Sequence, residues 1–271
     1  MPILQYQQHS VHYLRYGNGK ALLFAFHGFA DKADLFESIS QPLSEYYTVV
    51  AIDLPFHGQS SWNGTFYRPE DIVQIIQLLM KHYGYKRCSL ICHSMGGRIV
   101  LAVLESLSSR LDRLFFVASA GFQYTFSAAR FFFPLWFRNY CHRHYVHSNQ
   151  LMYFFECSYR LKLMNRATYW VFKQQLHTAK QRDRLLKTWI SMYYFPMKAG
   201  SKELKLLQQH PIKTYFFCAD KDRITAAKYS KKFASKLKNT EIVTFKGNHF
   251  FVRQHLAAQL KDYLQSNPIE F

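Results

Sequence analysis

Acidic residues are scarce in this chain: 17 Asp and Glu face 35 Lys and Arg, a formal net charge of +18. An excess of that sign suits nucleic acid, an anionic membrane or an acidic ligand. It equally suits a basic surface without a partner, because net charge governs association and solubility rather than fold. No helix-turn-helix, zinc-finger or RNA-recognition signature accompanies it, so nucleic acid is not expected as a partner. Cysteine is sparse as well. Cys88, Cys92, Cys141, Cys157 and Cys218 are odd in number and contain no C-x-x-C pair. That pattern argues against a disulfide framework and against a structural zinc site, and favours small buried thiols. No apolar run approaches the roughly 18 residues of a spanning helix. The opening MPILQYQQHS lacks the basic start and apolar core of a secretory signal. The expectation is a soluble, cytoplasmic protein. Internal repeats and low-complexity linkers are missing too.

What is present is enough for a sizeable core: 271 residues, 49% of them hydrophobic, can bury most of their unfolded surface without staples. Short apolar runs bounded by Gly, Asn, Asp or Pro read as buried strands at 11–16, 21–26, 48–52, 88–92 and 114–118. Helices are expected between them, over 33–46, over 69–83 and from Ser94 to about Ser108. The second carries Ile72, Ile75, Ile76 and Leu79 on one face, with Pro69 suited to its first turn and Gly84 to its stop. From Phe122 to Gly200 the character changes. Twelve Lys and Arg stand against Glu156 and Asp183, among aromatic runs such as FFFPLWF and WISMYYF, and the periodicity is helical. Alternation then resumes, with strands over 211–219 and 241–245 and helices over 226–237 and 250–264. Strands alternating with helices predict an α/β fold, a mostly parallel central sheet with helices on both faces. Residues 1–121 and 201–271 form its core, and 122–200 a helical insertion.

Three motifs point to chemistry. Ile91-Cys92-His93-Ser94-Met95-Gly96-Gly97 follows a strand and opens a helix. Phe26-His27-Gly28-Phe29 follows another strand. Asp53-Leu54-Pro55-Phe56-His57-Gly58-Gln59-Ser60 follows a third. Taken in their order along the chain, they resemble the α/β-hydrolase fold superfamily over nearly the whole chain outside 122–200. The first is similar to the nucleophile elbow, a sharp turn that lifts a serine clear of the sheet and needs small neighbours. Cys92 stands where the family has its first glycine, and Phe56 where the third motif usually has one. By that resemblance Ser94 is the nucleophile, and the backbone N–H groups of Phe29 and Met95 form the oxyanion hole. His249, in the loop Lys246-Gly247-Asn248-His249-Phe250, is the base. The acid follows a strand at Cys218-Ala219-Asp220-Lys221-Asp222, where the small residue Ala219 selects Asp222 over Asp220. The alternative position after the strand at 114–118 reads Ser119-Ala120-Gly121 and offers no carboxylate. His27 and Asp53 read as structural. His93 adjoins Ser94, but adjacent side chains diverge. His142, His144 and His147 have no evident carboxylate or thiolate to complete a metal site.

The resemblance implies a serine hydrolase that cleaves a carboxylic ester or related acyl bond through an acyl-enzyme, without metal or organic cofactor. Its partner is then a small-molecule acyl substrate, with anionic or amphipathic character suggested by the basic, aromatic insertion. That insertion is expected to be a cap (lid) over Ser94. Peripheral contact with an anionic membrane is the competing use of its charge, with Phe131 to Phe133 and Trp136 as anchors. The same core also resembles C–C bond hydrolases and a small lyase, and a non-catalytic ligand receptor can carry this fold. Nothing in the sequence sets an oligomeric state.

Overall fold

The structure of this chain is a computed structural model that describes residues 2–123, 133–163, 166–210 and 212–269. Phe131, Phe132 and Pro211, singled out in the sequence, lie outside the described residues. Two compact units result, one of residues 1–63, 69–124 and 196–271, the other of residues 64–68 and 125–195.

The first unit holds one eight-stranded sheet. Its strands are β1 (Ile3–Tyr6), β2 (His9–Tyr16), β3 (Ala21–Phe26), β4 (Tyr47–Ile52), β5 (Cys88–His93), β6 (Leu111–Val117), β7 (Lys213–Ala219) and β8 (Thr240–Phe245). The order across the sheet is β1-β2-β4-β3-β5-β6-β7-β8. β1 and β2 pair antiparallel, as do β2 and β4, and every pair from β4 to β8 is parallel. Every residue of β4 and β5 is buried, as expected where helices cover both faces of a parallel sheet. Alternation splits the strand side chains between two layers. Leu23, Ala25, Val49, Ile91, Phe115 and Phe217 pack on one face against α1 (Glu37–Leu43) and the C-terminal helices. On the other, α2 (Pro69–Tyr83) packs against α3 (Gly96–Leu107).

Local chemistry explains these elements. α2 buries Ile72, Val73, Ile75, Ile76, Leu79 and Met80. It ends in a Schellman closure: Gly84 at φ +75° lets Tyr85 N–H reach Met80 O at 2.9 Å and its own N–H reach Lys81 O at 3.2 Å. Several boundaries differ from the sequence reading. α3 starts at Gly96 rather than Ser94, because Ser94 sits at φ +50°, outside the helical region. The helix expected over 33–46 is a 3₁₀ turn, Ala33–Phe36, followed by the short α1. The closing helix breaks at His255 into Phe251–Gln254 and Leu256–Ser266. β1 was not foreseen, since the turn that joins it to β2 is Gln7-Gln8, with Gln7 at φ +52° and neither Gly nor Asn present. Cys88, Cys92, Cys141 and Cys218 are buried, with burial pushing the Cys92 thiol up to about 12, but Cys157 is exposed and departs from the buried-thiol expectation.

Among its described residues the regular elements of the second unit are all helices: α4 (Leu135–Tyr145), α5 (Gln150–Arg160), α6 (Arg166–Lys173) and α7 (Ala179–Ser191). A capping box between Thr178 and Gln181 starts α7. Two of its arginines are buried. Arg138 donates to Phe133 O at 2.9 Å and Trp189 O at 2.5 Å, and its guanidinium lies 5.0 Å from the Trp189 ring. Arg182 donates to Val146 O and Leu176 O, both at 2.7 Å. Carbonyl partners are what make such burial tolerable. Phe133, expected as a membrane anchor, instead packs against the Phe137, Phe154 and Trp189 rings. His142, for which the sequence offered no evident carboxylate, has one: its Nε2 lies 2.8 Å from Asp183 Oδ1. Tyr67, fully buried, stacks obliquely on Phe195 at 5.3 Å and ties residues 64–68 to this unit.

Asp53 closes the start of the first unit. Its buried carboxylate accepts from Ala33 N–H at 2.6 Å and Gln59 N–H at 2.8 Å and meets His12 Nδ1 at 2.7 Å. Asp53→Ala leaves these buried donors without an acceptor and should cost about 3 kcal/mol or more. Urea unfolding at neutral pH measures it, and a loss below about 1 kcal/mol would contradict this bracing role.

Candidate active site

The strand register brings the distant motifs to one edge of the sheet. Phe26 of β3 lies beside Cys92 of β5, His93 of β5 beside Val117 of β6, and Ala219 of β7 beside Phe245 of β8. The segments bearing Phe29, Ser94, Asp222 and His249 all leave the carboxyl ends of parallel strands, where such folds bind ligands. Ser94 is the turning point. Its φ of +50° is a left-handed conformation that costs a non-glycine residue about 1–3 kcal/mol. Hydrogen bonds hold it there: Ser94 N–H to Val117 O at 3.2 Å, and the N–H groups of Gly97 and Ala120 to Ser94 O at 3.0 and 2.8 Å. The tightness of the turn shows at Gly96, where a β-carbon would fall 2.2 Å from Phe26 O. Cys92 fits in the family's glycine position with its Sγ 3.6 Å from Phe115 O.

Ser94 Oγ donates to His249 Nε2 at 2.9 Å, and His249 Nδ1–H donates to Asp222 Oδ2 at 2.8 Å. The tautomer follows from these partners. Ser94 is half-buried, whereas His249 and Asp222 are buried. Asp222 is ionised: burial would push its carboxyl up, but His249 and the Thr225 donors outweigh burial and hold it below the ordinary carboxylate range. Its Oδ1 accepts the N–H groups of Ile224 and Thr225 at 2.7 and 2.8 Å. Asp220 is exposed and takes no part, accepting instead from Gly247 N–H at 2.8 Å.

Phe29 lies three residues past Phe26, the last residue of β3, and Met95 two residues past His93, the last of β5. The two loops nearly touch, since a β-carbon on Gly28 would lie 3.1 Å from Ser94 Cβ. The Met95 amide also caps α3, where the helix dipole is positive. His27 ties this loop to the next: its Nδ1–H donates to Gly28 O at 2.7 Å, and its Nε2 accepts Leu54 N–H at 3.0 Å.

Two neighbours went unread in the sequence. Thr225 Oγ1 lies 2.7 Å from both Ala118 O and Asp222 Oδ2 and 3.2 Å from His249 Nδ1, so it fastens the acid to the β6 loop. The three-residue step from Asp222 to Thr225 is a local Asx-turn signal that could have found it. Asp31 had none, because its partners are far away in sequence. Its Oδ1 takes the Arg253 guanidinium, and its Oδ2 lies 3.6 Å from His93 Nδ1. His93 is fully buried, which keeps its ring neutral, and its Nε2–H points to His249 O at 3.3 Å. One proton on that ring can satisfy the His249 carbonyl or Asp31, not both. Among the described residues no group of three or more His, Cys, Asp or Glu is arranged to hold a metal ion, and no helix is long and apolar enough to cross a membrane.

Set beside known proteins, residues 21–256 match the profile of the α/β hydrolase fold family. An uncharacterized hydrolase of Bacillus subtilis, YugF, is 30% identical over 115 residues, 42% of this chain and 42% of that protein. A probable serine hydrolase of Drosophila melanogaster is 28% identical over 102 residues, 36% of this chain and 31% of that protein. The matched region thus spans less than half the length of these relatives. Among solved structures, a thermophilic esterase of Thermogutta terrifontis superposes with a TM-score of 0.69 at 16% identity, covering 95% of this chain and 94% of its own. An enol-lactonase of Burkholderia xenovorans does so at 0.67 and 14%, covering 98% of each. Identities this low speak for the fold alone.

The depressed Asp222 carboxyl makes a stability prediction. A carboxylate whose folded pKa is lowered contributes stability fully above its unfolded value, about 3.9, and loses it as pH falls toward the folded value. Between about pH 5 and pH 3 the urea midpoint of wild type should therefore fall more steeply than that of Asp222→Asn. Parallel curves would remove the charged hydrogen-bond cluster around Asp222.

Proposed function

The chain belongs to the α/β-hydrolase fold family, and we propose that within it this protein is a serine hydrolase cleaving a carboxylic ester or related acyl bond. The observation that carries this reading is the unbroken relay from Ser94 Oγ through His249 to Asp222, at 2.9 and 2.8 Å. A serine hydroxyl is a weak nucleophile until a neighbour takes its proton. As Ser94 Oγ bonds to the substrate carbonyl carbon, its proton passes to His249 Nε2 and the carbonyl π electrons move to oxygen. Asp222 stabilises the imidazolium and keeps the ring in the productive tautomer. The oxyanion rests on the Phe29 and Met95 amides, each donor of this kind being worth about 3 kcal/mol. Collapse expels the alcohol, which takes the proton from His249. Water, deprotonated by the same Nε2, then attacks the acyl-enzyme, and Ser94 recovers its proton as the acid leaves.

Every proton and charge in this sequence is handled by the chain's own groups, and no metal or organic cofactor is called for. The substrate is a small acyl compound. C–C bond hydrolysis or lyase chemistry on the same relay would use the same Ser94, and ester turnover through a detectable acyl-enzyme is what separates acyl transfer from them.

A panel of p-nitrophenyl acyl esters and a fluorophosphonate probe tests the reading. Ser94→Ala should abolish labelling and lower kcat on the order of 10⁶-fold, with His249→Ala nearly as damaging and the double variant little worse. Asp222→Asn should cost on the order of 10⁴-fold, and Asp220→Asn far less. Failure of wild type to label, or residual turnover above about a tenth in Ser94→Ala, would sink it. Exhaustive chelation should leave turnover unchanged.

A further inference from the structure

Large apolar side chains exposed to solvent are concentrated in one stretch of the chain. Trp136, Tyr153 and Leu161 are 71%, 70% and 70% exposed, and Phe154, Leu163 and Trp170 join them at about half. Scattered singly such residues need no explanation, but a cluster marks a surface built to be covered. Helical spacing gathers them. On α4, Trp136, Tyr140, Arg143 and His144 are all exposed and fall within about 100° of the helix circumference. On α5, Tyr153, Phe154, Cys157 and Arg160 are exposed on one side, and Leu161, Lys162 and Leu163, just beyond its end, are exposed as well. The inward sides are occupied. Tyr159 stacks on Tyr169 at 4.4 Å and Phe155 on Phe172 at 5.2 Å, so the exposed rings are not a core turned outward.

The charge of the same stretch selects what covers it. Arg143, Arg160, Lys162 and Arg166 are exposed there. The one acidic residue of the stretch, Glu156, is already engaged by Tyr169 and by Arg160 at 3.1 Å. A second copy meeting this face through a two-fold axis would set basic residues against basic residues. An anionic lipid surface supplies the missing negative charge and an apolar layer at the depth where Trp and Tyr rings settle, while Lys and Arg stems reach back to the headgroups. We propose that the outward faces of α4 and α5, with Leu161, Lys162 and Leu163 just beyond α5, seat this protein on an anionic lipid surface. The proposal concerns where the protein works and is independent of the acyl chemistry.

Sedimentation of the full chain with phosphatidylcholine vesicles, with and without phosphatidylglycerol, tests it. Wild type should pellet with the anionic vesicles, bind neutral ones at least tenfold more weakly, and be released by salt. Leu161→Ser with Leu163→Ser should weaken binding tenfold or more, on the scale of an exposed leucine buried in an apolar layer. Lys162→Glu with Arg166→Glu should erase the preference for anionic lipid. All four positions are exposed, so far-ultraviolet dichroism and Tm should match wild type. No binding, equal binding to both vesicle types, or variants that bind like wild type would each overturn the proposal. So would a dimer in light scattering that the Leu161/Leu163 variant dissolves in the absence of vesicle binding, which would assign the face to a second copy.

Discussion

Ser94 stands in a left-handed conformation at the point where a strand buried on both faces becomes a helix, and the surroundings are fitted to hold it there. Such a residue survives only where its neighbours over-determine it. β6 supplies the acceptor for its N–H, the loop after β6 supplies a donor for its carbonyl, and Gly96 lets α3 press against the carbonyl of Phe26. The strain is local, but the restraints are drawn from three parallel strands. Moving any of these strands by one residue would release Ser94 and misplace the histidine that reaches it from β8. The sheet is thus a jig for one backbone torsion, and the hydroxyl presented to His249 is its product.

Much of this was readable from the sequence because it is local. The elbow, the Gly84 helix stop and the apolar strands carry their signals within a few residues. Asp222 and His249 were picked by motif order, and the fold brings them together though 27 residues separate them and 155 separate His249 from Ser94. What escaped had no short-range trace. β1 turns on Gln7 in a conformation that glutamine does not advertise, and Asp31 finds His93 and Arg253 only after the chain has closed on itself. Phe133 was legible as an apolar ring, but its half-buried place against Phe137, Phe154 and Trp189 left no short-range trace. Thr225 lies between these cases, close to Asp222 in sequence and overlooked because a threonine carries no charge.

The basic excess has more than one meaning. Arg138 and Arg182 are held by backbone carbonyls inside the helical unit and have no stake in any partner. Arg253 neutralises Asp31 beside the histidine pair. A formal charge of +18 therefore overstates what the surface shows, and the composition that first suggested a binding role includes residues working as internal struts.

One thiol, Cys157, meets solvent, while the other four lie in packed interiors. Without any substitution the native chain thus carries a single attachment point on the outer side of α5, and a maleimide dye offered briefly would report from that helix alone. The remaining four cysteines would react only as their surroundings opened, Cys92 directly behind Ser94 among them. The order in which they become modified would then be a clock, timing how often the elbow loosens against how often the helical unit does.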